Sequence, residues 1–182
     1  MLHLIERSRQ VGSHAHVRLV ISNKASAKGI GLARSHGVET LVIPHAGITR
    51  QEFEEKMSIE LEKREIHLIC LAGFMRILTP TFVQHWQRRI INIHPSILPA
   101  FKGAEAVKLA LQAGVKVTGC SVHYTVEEVD SGEILGQDIV RVEPDDTEES
   151  LHKKIQEKEH QLFPAIMEEV ARGMALGEIL PP

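Results

Sequence analysis

The sequence has 182 residues, 43% hydrophobic and 25% charged, with a formal net charge of −3; this suits one domain with a substantial core better than two cramped ones. That balance excludes disordered, collagen-like and coiled-coil classes. Without a basic excess, small molecules are the expected partners and nucleic acid is not.

Apolar runs are strand-sized, none approaches membrane length, and the amino end lacks the basic-then-apolar layout of a signal peptide. A cytoplasmic protein without membrane association is therefore expected. Cys70 and Cys120 lie in separate apolar runs without CxxC spacing and read as buried thiols of a reducing compartment.

Residues 2–9 read as the end of a helix, with Leu2 and Ile5 at helical spacing and no capping residue before them. Residues 16–21 form a strand, Ser22-Asn23-Lys24 leads into a helix closed by Gly37, and residues 38–43 form a second strand, completing a β-α-β unit. Gly29-Ile30-Gly31 lies inside that helix and lacks the third glycine of a dinucleotide fingerprint. Thr49 and Glu52 make a capping box ahead of a helix with the apolar stripe Phe53, Met57 and Leu61. Residues 67–72 are almost continuously apolar, as in a central parallel strand covered on both faces.

Thr79-Pro80 opens a short helix through Trp86, and residues 90–93 form a strand. Residues 103–113 read as a helix ended by Gly114, and residues 115–126 as a strand or a pair bent at Gly119. After the acidic turn 127–132 comes a strand over 134–142, which so short a link makes antiparallel to its predecessor. The fold class is thus α/β with a mixed sheet, parallel first and antiparallel later. Asp146 with Glu149 is expected to cap a last helix whose apolar face is Leu151, Ile155, Leu162, Ile166 and Val170, with Pro164 kinking or splitting it.

The chemistry concentrates at Asn92-Ile93-His94-Pro95-Ser96, where a strand runs into a proline-punctuated loop. Strand alternation projects Asn92 and His94 from one face, at the sheet edge where open α/β folds carry their sites. The amide can donate to an oxygen that becomes negative, and the imidazole can carry a proton. An aspartate beside the histidine, such as Asp130 of the acidic turn, favours the imidazolium form. Together these groups describe addition of a nucleophile to a carbonyl. Gly-x-Ser-x-Gly is absent, so direct transfer between two bound substrates is expected rather than a covalent enzyme intermediate. His14-x-His16 has no third ligand at a recognisable spacing, so no metal is expected. His123 reads as structural, and Glu159 and His160 as a solvated helix face.

Leu71-Ala72-Gly73-Phe74-Met75-Arg76-Ile77-Leu78, Asn92-Ile93-His94-Pro95-Ser96-Ile97-Leu98-Pro99, Val129-Asp130-Ser131-Gly132 and Glu159-His160 with Phe163-Pro164 resemble the phosphoribosylglycinamide formyltransferases of purine synthesis, over essentially the whole chain. The resemblance implies a Rossmann-like formyltransferase fold and formyl transfer from 10-formyltetrahydrofolate, as cosubstrate, to the amine of glycinamide ribonucleotide. It implies that Asn92 holds the formyl oxygen, that His94 stabilises the oxyanion and protonates the departing folate nitrogen, and that Asp130 supports the histidine and helps move the amine proton. Met75, Arg76, Ile77, Leu78 and Val83, with Val126, Glu127, Glu128, Val129 and Asp130, are implied to line the pterin pocket together with Asn92. Arg50 is implied near the folate tail, and Gln156 and Glu159 at the ribonucleotide. A monomer or weak homodimer is expected.

The family opens with a strand and a glycine-serine-asparagine loop that binds the ribonucleotide phosphate at a helix N-terminus, whereas this sequence begins within that helix. In the family that strand lies centrally, between the counterparts of residues 16–21 and 67–72. The expectation is an amino-terminally truncated or alternatively started chain, of weak ribonucleotide affinity and low stability, unless something else fills the gap. Val107 stands where the family commonly has a histidine, with Glu105 and Lys108 beside it. The alternatives are formyltetrahydrofolate deformylase, which shares the Asn-His-Asp set, and an inactive folate-binding isoform. Pro95 after His94 favours the transferase. Methionyl-tRNA formyltransferase carries an RNA-binding domain that is not seen here.

Overall fold

A computed structural model describes residues 1–178. Helix α1 (Leu2–Ser8) precedes the parallel pair β1 (Leu19–Ser22) and β2 (Glu39–Val42), which are joined through α2 (Lys28–Ser35). Then follow α3 (Arg50–Glu62), β3 (Ile69–Leu71), α4 (Pro80–His85), β4 (Ile90–His94), α5 (Ala106–Gln112), β5 (Val117–Tyr124), β6 (Ile134–Arg141) and α6 (Glu148–Ala175). β3 pairs with β4 in parallel, whereas β4–β5 and β5–β6 are antiparallel. The architecture is therefore mixed α/β with helices against the strands, as the element pattern implies. No described helix is long and apolar enough to cross a membrane.

Local chemistry accounts for the element ends. Thr49 caps α3 with the capping box read from the sequence, and Gly37, at φ +63°, supplies the left-handed residue just past α2. Thr79 caps α4, with Pro80 at the first helical position, where proline's missing N–H costs nothing. Gly119 does not bend β5, which runs unbroken; a Cβ there would lie 1.9 Å from the Asp138 carbonyl of β6, so the glycine allows close strand approach. The register shift falls instead between Val122 and His123. The α5 helix is shorter than residues 103–113, because Gly103 adopts φ +89° and the helix is only entered at Ala106.

Three further expectations are corrected. The cap of α6 is Thr147, paired reciprocally with Ser150, while Asp146 accepts from Ser150 and Lys154 just outside the helix. Pro164 does not split α6, which continues for 28 residues with Pro164 buried. Its neighbours Leu151, Ile155, Phe163 and Met167 are clamped into two apolar clusters, and that packing outweighs one lost helical hydrogen bond. Likewise β3 is not a central strand. The strands form two sheets, β1–β2 and β3–β4–β5–β6, so β1 and β3 are edges whose residues are only half-buried. Both are shorter than the apolar runs that encode them, since pairing on one side alone supports fewer residues.

The core divides accordingly. Ile43, Phe53, Met57, Leu61, Phe82 and Trp86 pack beneath one face, and Leu4, Val122, Tyr124, Ile166 and Met167 against the other. Val107 is buried with Cys120, Val140, Leu151 and Ile155, in the core rather than at a surface.

Candidate active site

β4 and β5 run antiparallel, and their register sets Asn92 opposite His123 and His94 opposite Ser121. Because alternate strand residues share a face, Asn92, His94, Ser121 and His123 form one polar patch. The intervening Ile91, Val122 and Tyr124 turn to the apolar cluster behind. The acidic turn after β5 folds back over this patch. Asp130 takes φ +50°, a left-handed conformation that aspartate tolerates better than most residues. Gly132 behind it is required, since a Cβ there would lie 1.7 Å from the Tyr124 carbonyl.

The Asp130 carboxylate therefore reaches two imidazoles. Its Oδ2 lies 3.3 Å from His94 Nδ1 and its Oδ1 3.5 Å from His123 Nε2, and the Gly103 N–H donates to Oδ2 at 2.9 Å. Burial pushes the Asp130 carboxyl up, but His123, the Gly103 N–H and His94 outweigh it and hold the group below the usual carboxylate value. His94 is 5% exposed. Its Nε2 lies 2.8 Å from the Phe101 carbonyl, so both ring nitrogens face oxygen acceptors, an arrangement fully satisfied when both carry hydrogen. His123 Nδ1 lies 2.8 Å from the Tyr124 carbonyl, and Asn92 Nδ2 lies 3.3 Å from His123 Nε2. The Asn92 amide thus lies beside the His123 nitrogen that also faces Asp130.

The loop after His94 is held from beneath. Ser121 Oγ donates to the Ser96 carbonyl at 2.7 Å and accepts from Leu98 N–H and Gln137 Nε2, while Gln137 also donates to the Leu98 carbonyl. Ser96 and Ser121 are fully buried, so the loop is pinned by satisfied polar groups rather than by apolar contact alone.

The structure brings Asn92, His94 and Asp130 together as the sequence implies. It also adds His123, read from sequence as structural, whose signal was the polar alternation Ser121-x-His123 in an otherwise apolar strand. Of the residues implied for the pterin pocket, Met75 and Ile77 are exposed, while Leu78 and Val83 are buried; Met75 and Arg76 line a cavity that does not include Asn92, His94 or Asp130. Arg76 lies over the Phe53 ring at 5.3 Å. Val83, Val126, Glu127 and Glu128 line a cavity of about 460 Å³. Val129 is exposed, Glu128 reaches Lys102 at 3.6 Å, and Glu127 accepts from Gln84. Arg50 is exposed at the start of α3.

Gln156 is exposed on α6, and Glu159 is half-buried there; burial pushes the Glu159 carboxyl above its usual value. His14 points its Nδ1 at Glu168, 2.9 Å away, and tethers its loop to α6.

The sequence pattern of the formyl transferase family matches residues 1–167. The chain is 48% identical over 171 residues to the trifunctional purine biosynthetic protein adenosine-3 of Gallus gallus, covering 93% of this chain and 17% of that protein. It is 34% identical over 168 residues to the phosphoribosylglycinamide formyltransferase of Bacillus subtilis (strain 168), covering 92% of this chain and 86% of the relative. The crystal structure of glycinamide ribonucleotide transformylase 1 from Symbiobacterium toebii superposes with a TM-score of 0.91 at 38% identity, over 94% of this chain and 82% of that one. The chain spans less than a fifth of the trifunctional relatives it matches, but most of the single-function ones. With the Asn-His-Asp constellation assembled where β4 ends and the acidic turn folds back over it, the chain belongs to the phosphoribosylglycinamide formyltransferase family.

Proposed function

We propose that this chain transfers the formyl group of 10-formyltetrahydrofolate to the primary amine of glycinamide ribonucleotide, as one formyltransferase domain. The observation that carries this reading is the Asp130 carboxylate set between His94 and His123, with the Asn92 amide in the same patch. In the reaction the amine nitrogen attacks the formyl carbon, and the formyl oxygen takes up negative charge. An Asn92 N–H donates to that oxygen, a contribution of about 10²–10³ in kcat for one such donor, and the charge of a protonated His94 beside it adds to the stabilisation. As the tetrahedral intermediate collapses, the bond from carbon to the folate nitrogen breaks, and His94 delivers a proton to that nitrogen. Asp130, held ionised, accepts the proton released by the amine, through water, and returns the centre to its starting charge.

The pterin is assigned to the pocket of Met75, Arg76, Ile77, Leu78 and Val83 with the Val126, Glu127, Glu128, Val129 and Asp130 turn, and the folate tail to Arg50. The exposure of Met75 and Ile77 supports that assignment, since apolar side chains facing solvent suit a flat aromatic ligand. A cavity of about 460 Å³ borders Val83, Val126, Glu127 and Glu128, which supports that part of the assignment alone, since its lining does not include Met75 to Leu78, Asn92, His94 or Asp130. Gln156 and Glu159 are assigned to the ribonucleotide.

The test is a steady-state assay of the purified chain with both substrates, following tetrahydrofolate and formylated ribonucleotide together. Equal formation of the two is expected, and its loss in Asn92→Ala and His94→Ala. Release of formate without a formylated product would replace this reading with the hydrolytic one.

A further inference from the structure

His94, Ser121 and Gln137 stand in one row across three strands. The register sets His94 of β4 opposite Ser121 of β5, and Ser121 opposite Gln137 of β6. The loop after His94 settles on this part of the sheet. Its Ile97 packs over Gly119, where a Cβ would come within 2.9 Å of the isoleucine Cδ1.

The hydrogens in this row have one arrangement. The Leu98 carbonyl can only accept, so the Gln137 group 2.9 Å from it is the NH2 and not the amide oxygen. The second hydrogen of that NH2 goes to Ser121 Oγ, 2.8 Å away. Ser121 Oγ also receives the Leu98 N–H at 3.0 Å, which fills its lone pairs and sends its own hydrogen to the Ser96 carbonyl at 2.7 Å. Ser96 and Ser121 are fully buried, so water does not stand in for a missing member.

What the loop carries decides what the row does. Its Phe101 carbonyl lies 2.8 Å from His94 Nε2, and the Gly103 N–H donates to Asp130 Oδ2 at 2.9 Å. Ser96 Oγ donates to the Ala100 carbonyl and ties the pinned half of the loop to that far half. Both contacts on the His94 and Asp130 pair therefore depend on where Ser96 to Leu98 are held.

We propose that Gln137 is a positioning residue for formyl transfer: from the edge strand β6, through Ser121 and the Ser96 to Leu98 backbone, it fixes the loop that orients the His94 ring. It acts through that loop and not on either substrate. The inference rests on the formyl-transfer reading of the site.

The test is Gln137→Met, which keeps the side chain's length and removes both donors, with Gln137→Glu as a second variant whose carboxylate cannot donate at neutral pH. Steady-state kinetics and NMR of the nitrogen-labelled imidazoles are read side by side. The Trp86 indole N–H, bonded to Ser58 of α3, reports on the fold. We expect kcat to fall at least about tenfold, since a misplacement near 1 Å costs about 10²-fold. Both KM values should stay within about twofold of the parent. The His94 ring signals should shift while the Trp86 signal stays in place. In a double-mutant cycle with Ser121→Ala the two losses should not add, because they cut the same connection. An unchanged kcat, a raised KM at unchanged kcat, unmoved His94 signals or full additivity overturns the proposal. If the Trp86 signal is displaced in one variant the other decides, and displacement in both makes Gln137 a determinant of the fold and overturns it too. The imidazole readout needs no substrate, so a parent chain that transfers no formyl group fails the functional reading while the His94 signals still decide this one.

Discussion

Asp130 holds a left-handed backbone that costs a non-glycine residue roughly 1–2 kcal/mol; its carboxylate meets two imidazoles and a backbone N–H from that position alone. Asn tolerates the same conformation, so Asp130→Asn should keep the turn while removing the charge. We expect kcat to fall by about 10²–10⁴, with circular dichroism and the melting midpoint near those of the parent. His123 orients both Asn92 and Asp130 as a positioning residue. His123→Gln should lower kcat with little change in either KM, and its effect should be non-additive with that of Asn92→Ala in a double-mutant cycle. Asn92 and His94 were legible because strand alternation is local and the loop after them is marked by prolines. His123 was not, because a lone histidine in an apolar strand looks the same whether it packs or aligns a neighbour. Only the pairing of Asn92 with His123 separates the two, and strand register is a non-local property.

At the scale of elements, α6 carries two glutamates with opposite energetics. Burial pushes the Glu168 carboxyl up, but the N–H of His14, the Ser13 hydroxyl, the His14 ring and the N–H of Ala15 hold it down to about 2. Because the folded-state value lies below the unfolded one, this stabilisation is present above the ordinary value of 4.5 and is lost as pH falls toward about 2. Glu168→Gln should therefore destabilise the chain by about 1.5–3 kcal/mol at pH 7, and the gap should close between pH 4.5 and 2 in urea titrations. Glu159 is the reverse case: burial raises its carboxyl, so stability falls as pH rises above 4.5. Glu159→Gln should raise the melting midpoint at pH 7, with the gain vanishing near pH 4, and should weaken ribonucleotide binding if the assignment to that substrate holds. The helix itself was plain from its apolar stripe. Its cap one residue past Asp146 and its passage through Pro164 were not, because side-chain competition for a cap and tertiary packing decide both.

For the whole molecule, the β-α-β unit and the later antiparallel strands were readable from hydrophobic period and link length, which set the mixed α/β class. The division into two sheets was not. A continuous apolar run such as that around Cys70 encodes burial, and which strand lies beside it depends on the rest of the chain. The Asn-His-Asp centre lies entirely on the β3–β6 side, whereas β1 and β2 join it through Glu168, the packing of α1 on α6, and α3, which is tied to α4 by Glu54 and Ser58. Native-state hydrogen exchange should therefore find β4 and β5 protected to near the global unfolding free energy and β1 and β2 opening at lower cost. Because the imidazoles and carboxylate are held by β4, β5 and the turn after β5 alone, damage to the amino-terminal half should erode substrate capture and lifetime long before it touches the bond-making step.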